Sequence, residues 1–215
     1  MRHSPILVAV LLSVALLSPI TADDSARHRD KLGTDAAIRK LVQRGAVVKR
    51  FAVRESETEG LLVRLKAEHL DQKGIIESDI LLALQPMSEL ALELRGLPFS
   101  DDGLRSLLAS VKPVGLDVSG SEVSDRGLQK FAIAQTQLRM LDLSFTRIGD
   151  EGLRTVASLR ELRHLSLIGS RVTDSGTACL AHLRQLHELY LAKTAVSSPA
   201  AEQLRRRLPM CRIER

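Results

Sequence analysis

Apolar residues recur with a fixed period along the second half of this chain. From Leu138 it reads LRMLDLSFTRIGDEGLRTVASLRE, from Leu162 LRHLSLIGSRVTDSGTACLAHLRQ, and from Leu186 LHELYLAKTAVSSPAAEQLRRRLP. The starts at 138, 162 and 186 set a repeat of 24 residues. Each copy opens L-x-x-L-x-L. Alternate residues of a strand share a face, so this opening predicts a short strand whose leucines point into a core. A helical half follows. One such unit cannot bury its own apolar face, so copies must stack into a continuous core.

Weaker copies precede Leu138. Leu116 and Val118 align with Leu141 and Leu143, and Ser121, Val123, Asp125, Gly127 and Leu128 align with Thr146, Ile148, Asp150, Gly152 and Leu153. Leu92, Leu94, Phe99, Asp101, Gly103 and Leu104 fit the same frame one copy further back. A degenerate copy runs from about Val63 to Met87, keeping Leu65, Leu70, Leu81 and Leu84. Met210 and Ile213 suggest a final half-repeat strand, for about five repeats in all over 61–215. Ahead of them, Ile38, Leu41 and Val42 have helical spacing from Thr34, and Gly45 suits the closing position of a helix. Val47, Phe51 and Val53 then predict an extended segment, followed by a polar turn at 55–60. Residues 34–60, a helix and the first strand of a hairpin, are the expected cap over the exposed end of the first repeat.

Each recurring residue type has an expected task. Thr146, Ser121, Ser170 and Thr194 occupy the turn after the strand. The chain contains no Asn, so these hydroxyls are expected to bond the backbone of the neighbouring coil. Asp101, Asp125, Asp150 and Asp174 precede the helical halves and are expected as N-caps, each worth about 1 kcal/mol. In the last copy Ser198 takes that place and Pro199 the first helical position. The Gly two places after each Asp permits close packing there.

The pattern L-x-x-L-x-L-x-x-T-x-I-x-D-x-G-L, quoted from Leu138, resembles the cysteine-containing type of leucine-rich repeat found in F-box substrate-recognition proteins. It is also similar to exported bacterial leucine-rich repeat proteins, whose chains often end in a motif like the LPMCRIER seen here. The resemblance covers roughly 61–215. It implies an α/β fold: a right-handed leucine-rich repeat solenoid with parallel β-strands on the concave face and helices on the convex face. It supplies no catalytic residues. The F-box role does not transfer, since the chain starts with an export signal and has no room for an F-box.

That signal is residues 1–22. A basic start (Arg2, His3) leads into an apolar run from Ile6 to Leu17, and cleavage is expected after Ala22. The run is shorter than the ~20 residues that span a bilayer, so a retained anchor is the lesser alternative. Residues 23–33 (DDSARHRDKLG) are polar and read as a flexible leader. The formal charge of +5 falls to +4 when Arg2 is removed, a mild excess that bears on solubility rather than on a ligand. With no Trp, one Tyr and four Phe, stacking on nucleic-acid bases is disfavoured. Cys179 and Cys211 fall two repeats apart, beyond disulfide reach.

In this register the concave column between the core leucines is Arg64, Glu93, Asp117, Asp142, Ser166 and Tyr190. The column two residues earlier holds Met140, His164 and Glu188, and the one two residues later holds Lys66, Arg95, Ser119, Ser144, Ile168 and Ala192. The face is therefore basic, then acidic, then neutral. Candidate partner-binding residues are Arg64, Glu93, Arg95, Asp117, Asp142, His164, Ser166, Glu188 and Tyr190. Six strands span about 24 Å and five residues of strand about 17 Å. That patch, on the order of 400 Å², is half of what each partner contributes to a standard interface of about 800 Å² per side. Asp142, His164 and Ser166 could suggest a hydrolytic triad, but an open sheet offers no evident oxyanion hole. His164, His187 and Glu188 could suggest a metal site, but His187 should point away from the other two. The expectation is a non-enzymatic, exported module that binds a protein or peptide, monomeric, with no cofactor, no metal and no stable membrane span after signal cleavage. The rival is a structural scaffold of the cell envelope.

Overall fold

The computed structural model describes residues 24–52, 59–129 and 137–215. Residues 1–22, read above as a signal, together with Val53 and most of the turn expected at 55–60, lie outside them. Eight strands form one sheet in sequence order. Helix α1 (Asp24–Gln43) leads into β1 (Val47–Ala52), which pairs antiparallel with β2 (Glu59–Arg64). The remaining strands add in parallel: β3 (Leu90–Glu93), β4 (Gly115–Asp117), β5 (Met140–Asp142), β6 (His164–Ser166), β7 (Glu188–Tyr190) and β8 (Arg212–Glu214). Between them run α2 (Ser78–Leu84), α3 (Asp101–Ser110), α4 (Asp125–Leu128), α5 (Asp150–Val156), α6 (Asp174–Thr177) and α7 (Ser198–Arg207). The sheet is open, with helices on its convex side, and the leucine columns fill one continuous core from Leu41 to Ile213.

Several local expectations change. The helix starts at Asp24 rather than Thr34, so the segment read as a leader is helical. Leu41 is fully buried, but Val42 faces out, because the helix packs through Ala37, Ile38 and Leu41. Gly45 closes the helix at φ 87°. His69, fully buried, ties this cap to the first coil: its Nδ1 accepts from Lys66 N–H at 2.8 Å, and its Nε2 lies 2.8 Å from the Arg44 carbonyl. Arg44 also forms ion pairs with Glu77 and Asp79. At the far end Ile213 enters the core, whereas Met210 sits in the turn before β8, 84% exposed. Both cysteines are free thiols.

The largest correction concerns the Asp column. The N-caps are the residues one place earlier: Ser100, Ser124, Gly149, Thr173 and Ser197. Each Asp instead reaches across to the N-cap of the next coil. Asp101 Oδ1 accepts from Ser124 N–H at 2.7 Å, Asp125 Oδ1 from Gly149 N–H at 2.8 Å, Asp150 Oδ1 from Thr173 N–H at 2.8 Å and Asp174 Oδ1 from Ser197 N–H at 2.6 Å. Where the cap carries a hydroxyl, it donates to the second carboxylate oxygen and accepts from its own helix. Thr173 Oγ1 donates to Asp150 Oδ2 at 2.6 Å and accepts from Ser175 N–H at 3.2 Å. Ser124 and Ser197 do the same. The turn hydroxyls expected to cross between coils stay at home: Thr146 and Thr194 donate to the Leu143 and Leu191 carbonyls of their own turns.

This ladder explains the glycines. A Cβ on Gly127 or Gly152 would sit 2.5 Å from the carboxylate of Asp101 or Asp125, and one on Gly176 would collide with Asp150. In these three coils the space two places after the Asp is filled by the Asp of the coil before, whereas at Gly103 it is filled by the Gly74 carbonyl and the Phe99 ring. Replacing Asp150 by Ala removes two bonds to Thr173, each charge-assisted and worth roughly 1.5–3 kcal/mol. We expect a loss of at least about 2 kcal/mol in urea unfolding, and a similar loss from Gly176→Ala with the Asp retained.

Candidate partner-binding face

The strand register brings the expected columns together. Arg64, Glu93, Asp117, Asp142, Ser166 and Tyr190 are successive partners across β2 to β7, and Glu214 of β8, absent from the sequence reading, completes the row. The earlier column also includes Leu62 and Ala91. These two and Met140 form a small apolar cluster apart from the main core, with Phe51 and Tyr190 packed against it.

The face divides into three parts by exposure and charge. At its amino-terminal end Arg64 pairs with Glu93 at 2.8 Å. Arg95 is exposed at the rim. In the middle the acidic residues are not a solvent-facing stripe. Asp117 is 0% exposed, Asp142 3% and Glu93 7%. Asp117 and Asp142 each accept the N–H two residues on, from Ser119 and Ser144, at 2.9 Å. Asp117 Oδ2 has no hydrogen-bond partner. Burial first, and then the charges of Asp142 and Glu93, push the Asp117 carboxyl up to about 6, against the pull of Ser119.

The carboxyl-terminal part is polar and half-exposed. His164 Nδ1 lies 3.2 Å from Glu188 Oε2, and Tyr190 Oη donates to the same oxygen at 3.0 Å. Burial lowers the His164 pKa, with Glu188 opposing. Burial, then the bond to Glu188, pushes the Tyr190 phenol up to about 12. Arg212 pairs with Glu214 at 2.6 Å. His187 does not stand apart as its position in the strand pattern suggested: its ring stacks on that of His164 with centroids 6.5 Å apart. His187 precedes β7, where the backbone has not yet settled into strand alternation.

The sharper chemistries gain nothing from this geometry. The Ser166 hydroxyl pairs with that of Ser144 at 2.6 Å, and His164 Nδ1 is engaged by Glu188, so no serine–histidine relay forms through these contacts. Among the described residues no group of three or more His, Cys, Asp and Glu is placed to hold a metal ion. A depression of about 490 Å³ lies away from the strand face, at the start of α3. Its charged lining is largely self-neutralising, with Asp102 paired to Arg105 and Glu122 to Arg147 at 3.9 Å.

The raised pKa of Asp117 has a direct consequence. A carboxyl whose folded value lies above its unfolded 3.8 favours the native state below about pH 4 and loses that contribution as pH rises through 6. Asp117→Asn keeps the oxygen that accepts the Ser119 N–H and removes the charge. Its melting temperature should exceed the wild type's at pH 7–8, by at most about 3 kcal/mol of stability, and the gap should close near pH 4. A variant less stable at pH 8 than at pH 4, relative to wild type, would sink this account.

A leucine-rich repeat family model matches residues 135–157, the copy with the clearest pattern. Among solved structures, an LRR protein of Leptospira interrogans is 19% identical, with a TM-score of 0.40 over 65% of this chain and 34% of that one. The chain thus spans about a third of that relative's length. No curated protein sequence matches it. No helix among the described residues is long and apolar enough to cross a membrane. The eight-stranded open sheet, its parallel register, the 24-residue period and the family match identify the fold as a leucine-rich repeat solenoid.

Proposed function

We propose that this protein is a non-enzymatic module that binds a protein or peptide outside the cytoplasm, through the carboxyl-terminal half of its concave face. The observation that carries the proposal is the contrast along that face. The acidic centre is closed to water, whereas His164, Glu188, Tyr190 and Arg212 keep accessible polar atoms around one hydrogen-bonded cluster. An aromatic with a polar tip, flanked by charges of both signs, is the type of group that anchors protein interfaces. The strand face is small for a standard interface, which favours a peptide segment over a large rigid surface. Export rests on the basic start, the apolar run and Ala22.

The scaffold alternative would place the contact on the basic run of α7. That run is partly neutralised, since Arg205 and Arg206 both pair with Glu202. The two readings separate in one experiment. Tyr190→Ala with Arg212→Glu should reduce capture of partners from an envelope extract at least tenfold, with the fold retained by circular dichroism. Unchanged capture, together with loss on Arg206→Glu and Arg207→Glu, would favour the scaffold. Sequencing of the secreted or periplasmic protein should begin at Asp23; an intact Met1 would overturn the cleavage proposal.

A further inference from the structure

One backbone position recurs in the five coils after β3 to β7, and it carries an anomaly. Gly96, Gly120 and Gly169 lie at φ 67°, 69° and 65°, and the equivalent residues Phe145 and Lys193 at 55° and 58°. The left-handed turn is imposed by the sheet ladder. It lets Gly96 N–H reach the Ser119 carbonyl at 2.7 Å, Gly120 N–H the Ser144 carbonyl at 2.8 Å and Phe145 N–H the Ile168 carbonyl at 2.7 Å. Glycine meets this demand without strain, and a bulky side chain does not. Yet one of only four Phe residues in the chain stands there, and it is 53% exposed.

The surroundings of Phe145 are arranged to hold its ring. Gly169, one coil on, supplies the seat: a Cβ there would come within 2.6 Å of the ring. Lys193, two coils on and itself in the strained conformation, places its ammonium 5.6 Å from the ring centroid. Half-exposed Ile168 precedes Gly169 on the same rim. Toward the amino-terminal side Gly120 and Gly96 leave the rim bare. Two strained side chains and a gap thus combine into an aromatic step beside an exposed cation, at the edge of the concave face.

The ladder imposes the turn but not a bulky residue at it, and side chains held in strained backbone cluster at functional sites. We propose that Phe145, seated on Gly169 beside Lys193, is a docking point for a peptide segment carrying an acidic side chain next to an apolar one. The apolar side chain lies on the exposed ring and the carboxylate pairs with the Lys193 ammonium. The cation and the apolar rim select this occupant by complementarity, and the bare backbone at Gly120 and Gly96 lets an extended chain pass. This inference rests on the peptide-binding reading above and adds a site to it.

The test uses a random peptide display pool selected on the purified protein. Wild-type selection should enrich sequences with Asp or Glu beside an apolar residue. Phe145→Asn, which suits the left-handed conformation, should keep the melting temperature within about 5 °C and weaken the enriched peptides at least tenfold. Lys193→Glu should shift selection toward Lys or Arg. Peptides that bind Phe145→Asn as tightly as wild type, while failing on Tyr190→Ala with Arg212→Glu, would overturn this site and leave the general reading intact. No enrichment on wild type would defeat both. A fall in melting temperature well beyond 5 °C would assign Phe145 to the fold and overturn the site. A wild-type dimer that becomes a monomer on Phe145→Asn would make the occupant a second copy, and overturn the peptide proposal.

Discussion

Five successive coils of this protein are joined, each to the next, by one carboxylate. Asp101, Asp125, Asp150 and Asp174 stand at the first turn of a helix, and each accepts the backbone N–H of the following coil's N-cap. The helices so joined are short, and α4 and α6 have four residues each. Such helices have no stability of their own, since one turn fixes many dihedrals for few bonds. The lateral bond orients the next cap, the cap orients the next helix, and the register passes along the stack. In a chain without Asn, the acid and a hydroxyl together link one coil to the next. At Ser100, the first cap of the series, the Lys73 carbonyl of the coil before accepts from Oγ at 2.7 Å instead.

The same close stacking shapes the face that a partner would meet. Parallel strands bring equivalent side chains about 4.8 Å apart, so one acidic residue per coil becomes a row of interacting carboxylates. Burial without full pairing raises the Asp117 pKa, and the energetic strain is kept at the centre of the sheet. Beyond the buried Ser166 the row changes to Tyr190 and Glu214, and the polar groups open to solvent. At the rim, Phe145 and Lys193 hold a conformation that three glycines adopt freely. Features of this kind are costly to a fold and useful to a binding surface.

How much was legible depends on the range of the interaction. The L-x-L pairs predicted the strands and their register without error, because a period of two allows only one choice of buried face. The Asp and Gly positions were also visible as a pattern, but not their meaning. Asp150 precedes its helix by sequence and looks like a cap; its partner, Thr173, is 23 residues away and is found only when the coils are stacked. Ser198 and Pro199 missed the cap by one residue, Ser197, because Pro is tolerated throughout a first turn. Val42 fits helical spacing as well as Leu41 does, and only the surface it meets distinguishes them.

By itself the sequence determined the repeat, its period, the core columns, the order of side chains across the concave face and the separation of the two cysteines. These follow from local periodicity, which any stacked copy inherits. The tertiary structure decided what each column does: that Asp bridges coils and leaves no room for a Cβ at Gly127, Gly152 or Gly176, that the acidic centre is closed to water, that His187 stacks on His164, and that Phe145 is held over Gly169 beneath Lys193. Those outcomes depend on which groups meet across neighbouring coils and on how much water remains between them, and neither is encoded in the spacing of residues along one coil.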